Sequence, residues 1–300
     1  MPEISVVVPT YNRLETLEYV LPTLLAQDLA PSEFEVLVCD SNSTDGTAEF
    51  LAAMREKHGN VRHLPGAYSG RAAARNAGID AAAGEVVLFN DSDIFASPDL
   101  LSQHLRHHRA RRDIAVVGLE VQVKDFDDYA YKRDHPQARG FLHKPARKQL
   151  PWLYFLTGNA SVRRADLIRV GRFDESFTGY GHEDLELGYR LERAGITILY
   201  ERNAINYHCQ DVPHDDQKEK MRLAGRSTVR FYRKHPDFGV RLNLGMTPVS
   251  LGLHSVLERM PGVLAFFDAR SSRSKFARDL VQQYHYVSGV KDALKDRNVG

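Results

Sequence analysis

Four short apolar runs, separated by helical patterns, most constrain what this chain can fold into. Ile4-Ser5-Val6-Val7-Val8, Glu35–Cys39, Val61–Leu64 and Glu85–Phe89 have strand length and are apolar enough to be covered on both faces. Between them, Leu14, Leu17, Leu21, Leu24 and Leu25 recur at helical spacing. A second helix opens near Asp45, and a third runs through Arg71–Ala83. Pro22 falls inside the first pattern and is expected to kink or divide it. Such alternation specifies parallel βαβ units, and hence an α/β domain with a Rossmann-like, mixed but mainly parallel sheet flanked by helices. Ligands of these sheets bind beyond the carboxyl ends of the strands. Polar clusters fall there: Thr10-Tyr11-Asn12-Arg13, Asp40-Ser41-Asn42-Ser43 and Asn90-Asp91-Ser92-Asp93 follow the first, second and fourth runs. Three amide- and carboxylate-rich loops at one edge of one sheet predict a site.

The 300 residues suffice for one large domain with a smaller appendage. An apolar share of 43% with 26% charged residues is ordinary globular composition, and a net charge of +1 gives no electrostatic case for a nucleic-acid partner. Cys39 ends an apolar run and reads as buried; with Cys209 it makes no disulfide framework, which suits a reducing compartment. No signal sequence or membrane-spanning run is evident, so the expected location is cytoplasmic, with the inner membrane face as a peripheral alternative. The polar stretch from Lys124 to Gln149 is either an excursion over a substrate or a solvated loop. Asp184–Ala194 reads as a helix stopped by Gly195, Thr197–Tyr200 as a strand, and the chain beyond Pro213 as a helical extension. The expected division is therefore 1–212 and 213–300.

Asp91-Ser92-Asp93, after a hydrophobic run, places two carboxylates where both can reach a hard divalent cation. Mg²⁺ is commonly held by one or two carboxylates together with substrate phosphates. The plainer alternative is a turn that caps a helix near Pro98. Glu183-Asp184 opens a helix, where acidic residues are favourable for dipole reasons alone. The sharper alternative is a general base, which a weakly nucleophilic hydroxyl would need.

Taken in order, Val6-Val7-Val8-Pro9-Thr10-Tyr11-Asn12-Arg13, Asp40 with Asp45-Gly46-Thr47, Arg71 through Arg75-Asn76-Ala77-Gly78, and Asp91-Ser92-Asp93 resemble the nucleotide-binding half of family 2 glycosyltransferases. Gly171–Phe177 and Gly179–Arg190 are similar to that family's acceptor-side motif. The resemblance covers roughly residues 3 to 210. It implies a GT-A fold, with residues 1–95 as the nucleotide-binding half and 96–212 as the acceptor-side half. It also implies an inverting transfer from a UDP-sugar with Mn²⁺ or Mg²⁺, to a glycan or lipid-linked glycan.

By that resemblance Pro9, Thr10 and Asp40 border the nucleoside, Arg13 and Arg71 face the base or diphosphate, and Tyr11, Asn76 and Ser92 complete the donor set. Asp91 approaches the ribose and the metal's water shell, while Asp93 ligates the metal. Arg75 either joins this set or pairs with an acidic neighbour. His208 matches a third metal ligand, with His214 as its competitor; an imidazole would favour Mn²⁺. Asp184 is the base, and His182, Glu183 or Glu186 meet the acceptor or donor sugar.

Trp152, Gly158 and Asn159 could line the sugar: a ring to stack, a glycine to admit backbone, an amide to bond. Core packing for Trp152 and backbone bonding for Asn159 are the alternatives. His104 through Arg112 is a basic run, read as a solvated face before an anionic-lipid contact. From Met246 to Phe267, apolar residues followed by Arg270, Arg273, Lys275 and Arg278 suit either a membrane surface or another protein surface. Rival functions are a catalytically weak glycan-binding or scaffolding homologue and a nucleotidyltransferase; the latter would carry a glycine- and lysine-containing phosphate loop where Pro9–Arg13 stands.

Overall fold

The computed structural model describes residues 1–140, 145, 147–209 and 214–296, the side chains of 214–216 excepted. The chain divides into two compact units, Met1–Thr178 with Glu183–Asp211, and Gly179–His182 with Val212–Gly300.

The first unit opens with the expected alternation. Strands β1 (Ile4–Thr10), β2 (Phe34–Asp40), β3 (Val61–Pro65) and β4 (Val86–Phe89) lie parallel, in the order β3-β2-β1-β4. Every residue of β1 and β2 is buried, as strands covered on both faces must be. Helices α1 (Leu14–Leu25), α2 (Thr47–Lys57) and α3 (Arg71–Ala81) make the crossovers. Contrary to expectation, α1 runs undivided through Pro22. Pro22 and Glu18 both face solvent, so water can satisfy the carbonyl that the proline leaves without a donor.

The sheet then turns mixed. It contains β5 (Ile94–Ala96), β6 (Ile114–Val123), β7 (Gln149–Leu150), β8 (Ala160–Arg163) and β9 (Thr197–Cys209), extending from β4 in the order β8-β6-β9-β5, with β7 paired to β9. The strand expected at Thr197–Tyr200 is therefore only the start of β9. A register shift between Gly118, paired with Glu201, and Leu119, paired with Ile205, leaves residues 202–204 of β9 bulged out of the ladder. Such a bulge keeps the alternation of faces intact on both sides of an insertion.

Helix α4 (Leu100–Ala110) is not a uniformly solvated basic face. His104 and His108 are buried and share Ser161 Oγ at 2.8 Å each, while Arg106 and His107 bind Glu201 and Arg109 binds Glu3. Burial lowers His104 to about 4 and His108 to about 3. Within the stretch read as a loop, α5 (Phe126–Asp134) packs Tyr129 on Phe95 at 4.8 Å. Residues 141–144 and 146 of that stretch lie outside the described residues. The unit's remaining helices are α6 (Arg164–Arg169) and α7 (Glu183–Arg193).

The second unit is helical: α8 (His214–Lys234), α9 (Phe238–Asn243), α10 (Pro248–Glu258), α11 (Pro261–Asp268) and α12 (Lys275–Lys295). Helices α8 and α12 pack through Val229, Val290 and Ala293. They meet at glycines for lack of room: a Cβ on Gly289 would stand 1.9 Å from the Arg222 carbonyl oxygen, and one on Gly225 2.0 Å from that of Tyr286. No helix among the described residues is long and apolar enough to cross a membrane.

Candidate active site

Parallel register brings Thr10, Asp40 and Pro65 level at the carboxyl ends of β1, β2 and β3. The loops beyond are tied together. The Asn12 N–H donates to Ser43 Oγ at 2.8 Å, Thr44 N–H donates to Asn12 Oδ1 at 2.8 Å, and Asp45 accepts from Leu14 N–H and from Thr47. Asp40 is buried. One of its oxygens accepts from Ser43, and the other lies 3.3 Å from His63 Nε2. Pro9 and Thr10 are buried too, and Thr10 Oγ1 has no hydrogen-bond partner among the described residues. Tyr11 and Arg13 stand exposed at the rim of this ledge.

Asp91-Ser92-Asp93 forms a tight turn between β4 and β5, closed by the Ile94 N–H donating to the Asp91 carbonyl oxygen at 3.1 Å. The Asn90 amide braces it, donating to the carbonyls of Asp91 and Ile94. The turn sends its two carboxylates to different neighbours. Asp91 accepts from Arg75 Nη2 at 2.7 Å, and Arg75 Nη1 donates to Glu183 Oε1 at 3.1 Å. Arg75 is the largest fully buried side chain among the described residues, 1% exposed. Helix α3 thereby joins the Asp91–Asp93 turn to the start of α7, and the pairing alternative for Arg75 is the one observed. Burial alone would raise the Asp91 pKa; Arg75 and Arg71 outweigh it and hold the carboxyl below its ordinary value.

Asp184, next to Glu183, accepts from the Leu185 N–H at 2.8 Å. Burial, reinforced by the Glu183 charge and opposed by Arg75, raises its carboxyl to about 7. Glu183 Oε2 is buried with no hydrogen-bond partner among the described residues, an acceptor beside that carboxyl.

Asp93 faces β9. Its Oδ1 is 3.7 Å from His208 Nε2, and the other ring nitrogen, Nδ1, is 3.2 Å from Glu120 Oε1. Burial would lower the His208 pKa, but the two carboxylates raise it to about 10. Glu120 was not anticipated. Its strand shows a local signal, since Leu119, Val121 and Val123 are buried while Glu120 and Gln122 face out, but nothing in the sequence pairs that face with His208. Among the described residues no group of three His, Cys, Asp or Glu side chains is arranged to hold a metal ion by itself. The donor set, two carboxylates and an imidazole around a fixed turn, fits an ion that draws further oxygens from a bound diphosphate.

Several expected site residues are engaged elsewhere. Asn76 is buried and donates to the Phe173 carbonyl and Glu175, while accepting from the Phe173 N–H; it anchors the Gly171–Phe177 segment to α3. Trp152 is buried, edge-on to Tyr189 of α7 at 5.7 Å, so the packing alternative holds. Asn159 spends its amide on the Ala204 and Leu119 carbonyls and on His104 Nε2, which is the backbone alternative. Gly158 does sit near the turn: a Cβ there would meet Ile94 Cδ1 at 2.8 Å and Glu120 Oε2 at 3.4 Å. Glu186 is buried and bound to Arg190. Ser92 is buried within the turn, and Arg71, at the start of α3, has its Nε 3.9 Å from Glu183 Oε1. His182 belongs to the second unit, its Nε2 2.6 Å from Thr228 Oγ1. The side chain of His214 lies outside the described residues.

A model of glycosyl transferase family 2 matches residues 5–171, and one described as the N-terminal domain of galactosyltransferase matches residues 141–212. The chain is 33% identical over 265 residues to a validoxylamine A glucosyltransferase of Streptomyces hygroscopicus subsp. limoneus. That match covers 79% of this chain and 58% of the relative, so the chain spans about six tenths of the relative's length. Among solved structures, the mannosyltransferase PcManGT of Pyrobaculum calidifontis, in complex with GDP-Man and Mn²⁺, superposes with a TM-score of 0.67 at 20% identity, covering 99% of this chain and 88% of that one. TarS 1-349 of S. aureus in complex with UDP superposes at 0.57 and 21% identity, covering 98% and 92%. These likenesses establish the GT-A fold for the chain.

Proposed function

The chain belongs to family 2 of the glycosyltransferases, and from that premise we propose that it inverts the anomeric centre of a UDP-sugar while transferring the sugar to a hydroxyl. The observation that carries this reading is Arg75, which ties Asp91 of the donor-side turn to Glu183, the neighbour of Asp184. A carboxyl raised to about 7 can take a proton near neutral pH, whereas an ordinary aspartate is too weak a base to do so efficiently.

In the proposed reaction the acceptor oxygen attacks the anomeric carbon as the bond from that carbon to the diphosphate oxygen breaks. The hydroxyl proton passes to Asp184. One displacement inverts the configuration, so no covalent sugar–enzyme bond is needed, in contrast to retaining two-carboxylate chemistry. Glu183 orients the acceptor hydroxyl through Oε2. Arg71 and Arg13 face the diphosphate or base, and the ledge of Pro9, Thr10 and Asp40 borders the nucleoside, with Tyr11 at its rim. Asp93 and His208, with Asp91 nearby, would hold Mn²⁺ or Mg²⁺, which when bound neutralises charge on the departing diphosphate. Support for a nucleotide donor and a divalent ion comes from neighbours solved with UDP and with GDP-Man and Mn²⁺. The acceptor is proposed to be a glycan or lipid-linked glycan.

The test is a screen of nucleotides and nucleotide sugars against the intact chain. UDP with Mn²⁺ is expected to raise the melting temperature more than GDP with Mn²⁺, and one UDP-sugar to be transferred or slowly hydrolysed. Asp93→Ala should lose both effects at an unchanged metal-free melting temperature. Stabilisation by GDP alone would move the donor away from UDP, and turnover by Asp93→Ala would remove the metal from the reading.

A further inference from the structure

Helix α10 packs Leu251 inward but also carries apolar side chains on its outer face. Surface helices turn their apolar side inward and their polar side to water. The buried residue of α10 is instead His254, its ring stacked on Tyr284 at 4.5 Å and its Nε2 2.7 Å from Ser288 Oγ. Outward stand Val249, Leu253, Val256 and, just past the helix, Met260, from 79% exposed at the first to 48% at the last. Their spacing of four, three and four residues places them along one side. Helix α11, with the sequence Pro-Gly-Val-Leu-Ala-Phe-Phe-Asp, contains no buried residue. Its Phe267 meets Phe266 at 5.4 Å and the exposed Phe276 at 5.9 Å, so three aromatic rings cluster at the surface of this unit.

Most charges that flank α11 are positive. Arg259 precedes α11, and Arg270, Arg273, Lys275 and Arg278 follow it. The acids of the same stretch are already engaged: Glu258 with Lys291 at 2.7 Å and Asp268 with Lys218 at 2.9 Å. None of the five cations forms an ion pair among the described residues. The Arg270 guanidinium lies 3.6 Å over the Phe266 ring, a cation and an apolar group offered together.

We propose that the α10–α11 face docks on the surface of a bilayer containing anionic lipid. Apolar side chains of an interfacial helix enter the headgroup–acyl boundary while its cations meet lipid phosphates, which satisfies both halves of this surface at once. A second copy of the chain fits less well, because a two-fold contact would bring the same five cations toward their equivalents. The proposal is independent of the sugar-transfer reading.

Flotation of the full chain with vesicles tests it. Vesicles of phosphatidylcholine with phosphatidylglycerol should carry the chain, phosphatidylcholine alone should not, and binding should fall as salt is raised. Arg270→Gln/Arg273→Gln/Lys275→Gln should weaken binding roughly five-fold per cation removed. Leu253→Ser/Val256→Ser/Phe266→Ser should weaken it about ten-fold or more. All six side chains stand at or near the surface, so melting temperatures should stay with the parent's, confirming intact folds. Equal binding to neutral and anionic vesicles would overturn the proposal. So would a sedimenting dimer that the apolar triple variant dissolves while neither protein floats.

Discussion

Asp91 leans on Arg75, a buried guanidinium shared with Glu183, whereas Asp93 faces His208, an imidazole shared with the half-exposed Glu120. The two aspartates belong to one three-residue turn, yet one cluster is closed and the other open. Arginine cannot lose its proton in a protein, so the Arg75 cluster carries a permanent counter-charge and acts as a strut between β4 and α7. The His208 cluster has no permanent cation among the described residues. Its carboxylates pull a proton onto the imidazole because no stronger positive charge is built in. On the proposed reading the difference separates scaffold from binding chemistry within one turn, and each prediction below breaks one cluster and leaves the other.

The largest effect should come from breaking the closed one. Arg75→Met strands Glu183 and Asp91 beside an apolar side chain, and removing one partner of a buried pair costs about 3–5 kcal/mol. Urea denaturation should register that loss, and Arg75→Lys should recover only part of it, because an ammonium lacks the fork that reaches two carboxylates. A variant as stable as the parent would show that Arg75 is not a strut.

Asp184→Asn should leave both clusters charged as before and lower kcat by about 10²–10⁴-fold. The parent's kcat should rise with pH through about 7 as Asp184 deprotonates, and the variant should lack that limb. Stability carries the opposite sign. A carboxyl raised in the folded state contributes stability that is complete below its unfolded pKa and lost as pH climbs through its folded one. Asp184→Asn should therefore gain stability over the parent as pH rises from about 4 toward 7. Denaturation midpoints at both ends of that window would check it, and a kcat profile unchanged by the variant would remove Asp184 from the base role.

The closed cluster also shows what a sequence can and cannot disclose. Strands β1, β2 and β4 announce themselves because parallel strands buried on both faces must be largely apolar runs, Asp91 and Asp93 follow the last of them, and Glu183-Asp184 opens a helix. That Arg75 would join two of them was readable only as an alternative, since a salt partner 108 residues away leaves no local mark. The antiparallel half was harder. The three residues of β5 are too few to show a period, and β9 hides behind Glu201-Arg202-Asn203, which sequence pattern reads as an end although pairing resumes past a bulge. Glu120 illustrates the same limit: an outward glutamate on a strand is unremarkable until the neighbouring strand supplies His208. Asn76, Asn159 and Trp152 lie in the right motifs, but their side chains close hydrogen bonds and packing contacts inside the unit, which composition cannot distinguish from contacts with a sugar.

Breaking the open cluster should spare the fold. Glu120 is 38% exposed, so Glu120→Gln should leave the melting temperature unchanged while weakening Mn²⁺ binding in the presence of UDP by about 10–100-fold, the usual consequence of removing the partner that orients a histidine ligand. Titrating Mn²⁺ against the stabilisation of the UDP-bound chain would measure it. Unaltered Mn²⁺ affinity would leave Glu120 as a surface residue.

The smallest effect sharpens the comparison most, because it uses the same helix and the same carboxylate. Arg71 stands one helical turn before Arg75 and reaches Glu183 only at 3.9 Å, with 45% of its side chain exposed. A long contact from a half-exposed guanidinium is screened by solvent and contributes about 0–1 kcal/mol, so Arg71→Gln should unfold within that margin of the parent, where Arg75→Met does not. If Arg71 faces the diphosphate, the loss should appear instead as weaker UDP affinity that grows less distinct from the parent's as salt screens both. Calorimetric titration of UDP at low and high salt reads this directly. A destabilisation matching that of Arg75→Met would erase the distinction between a cation that holds the site together and a cation offered to the substrate.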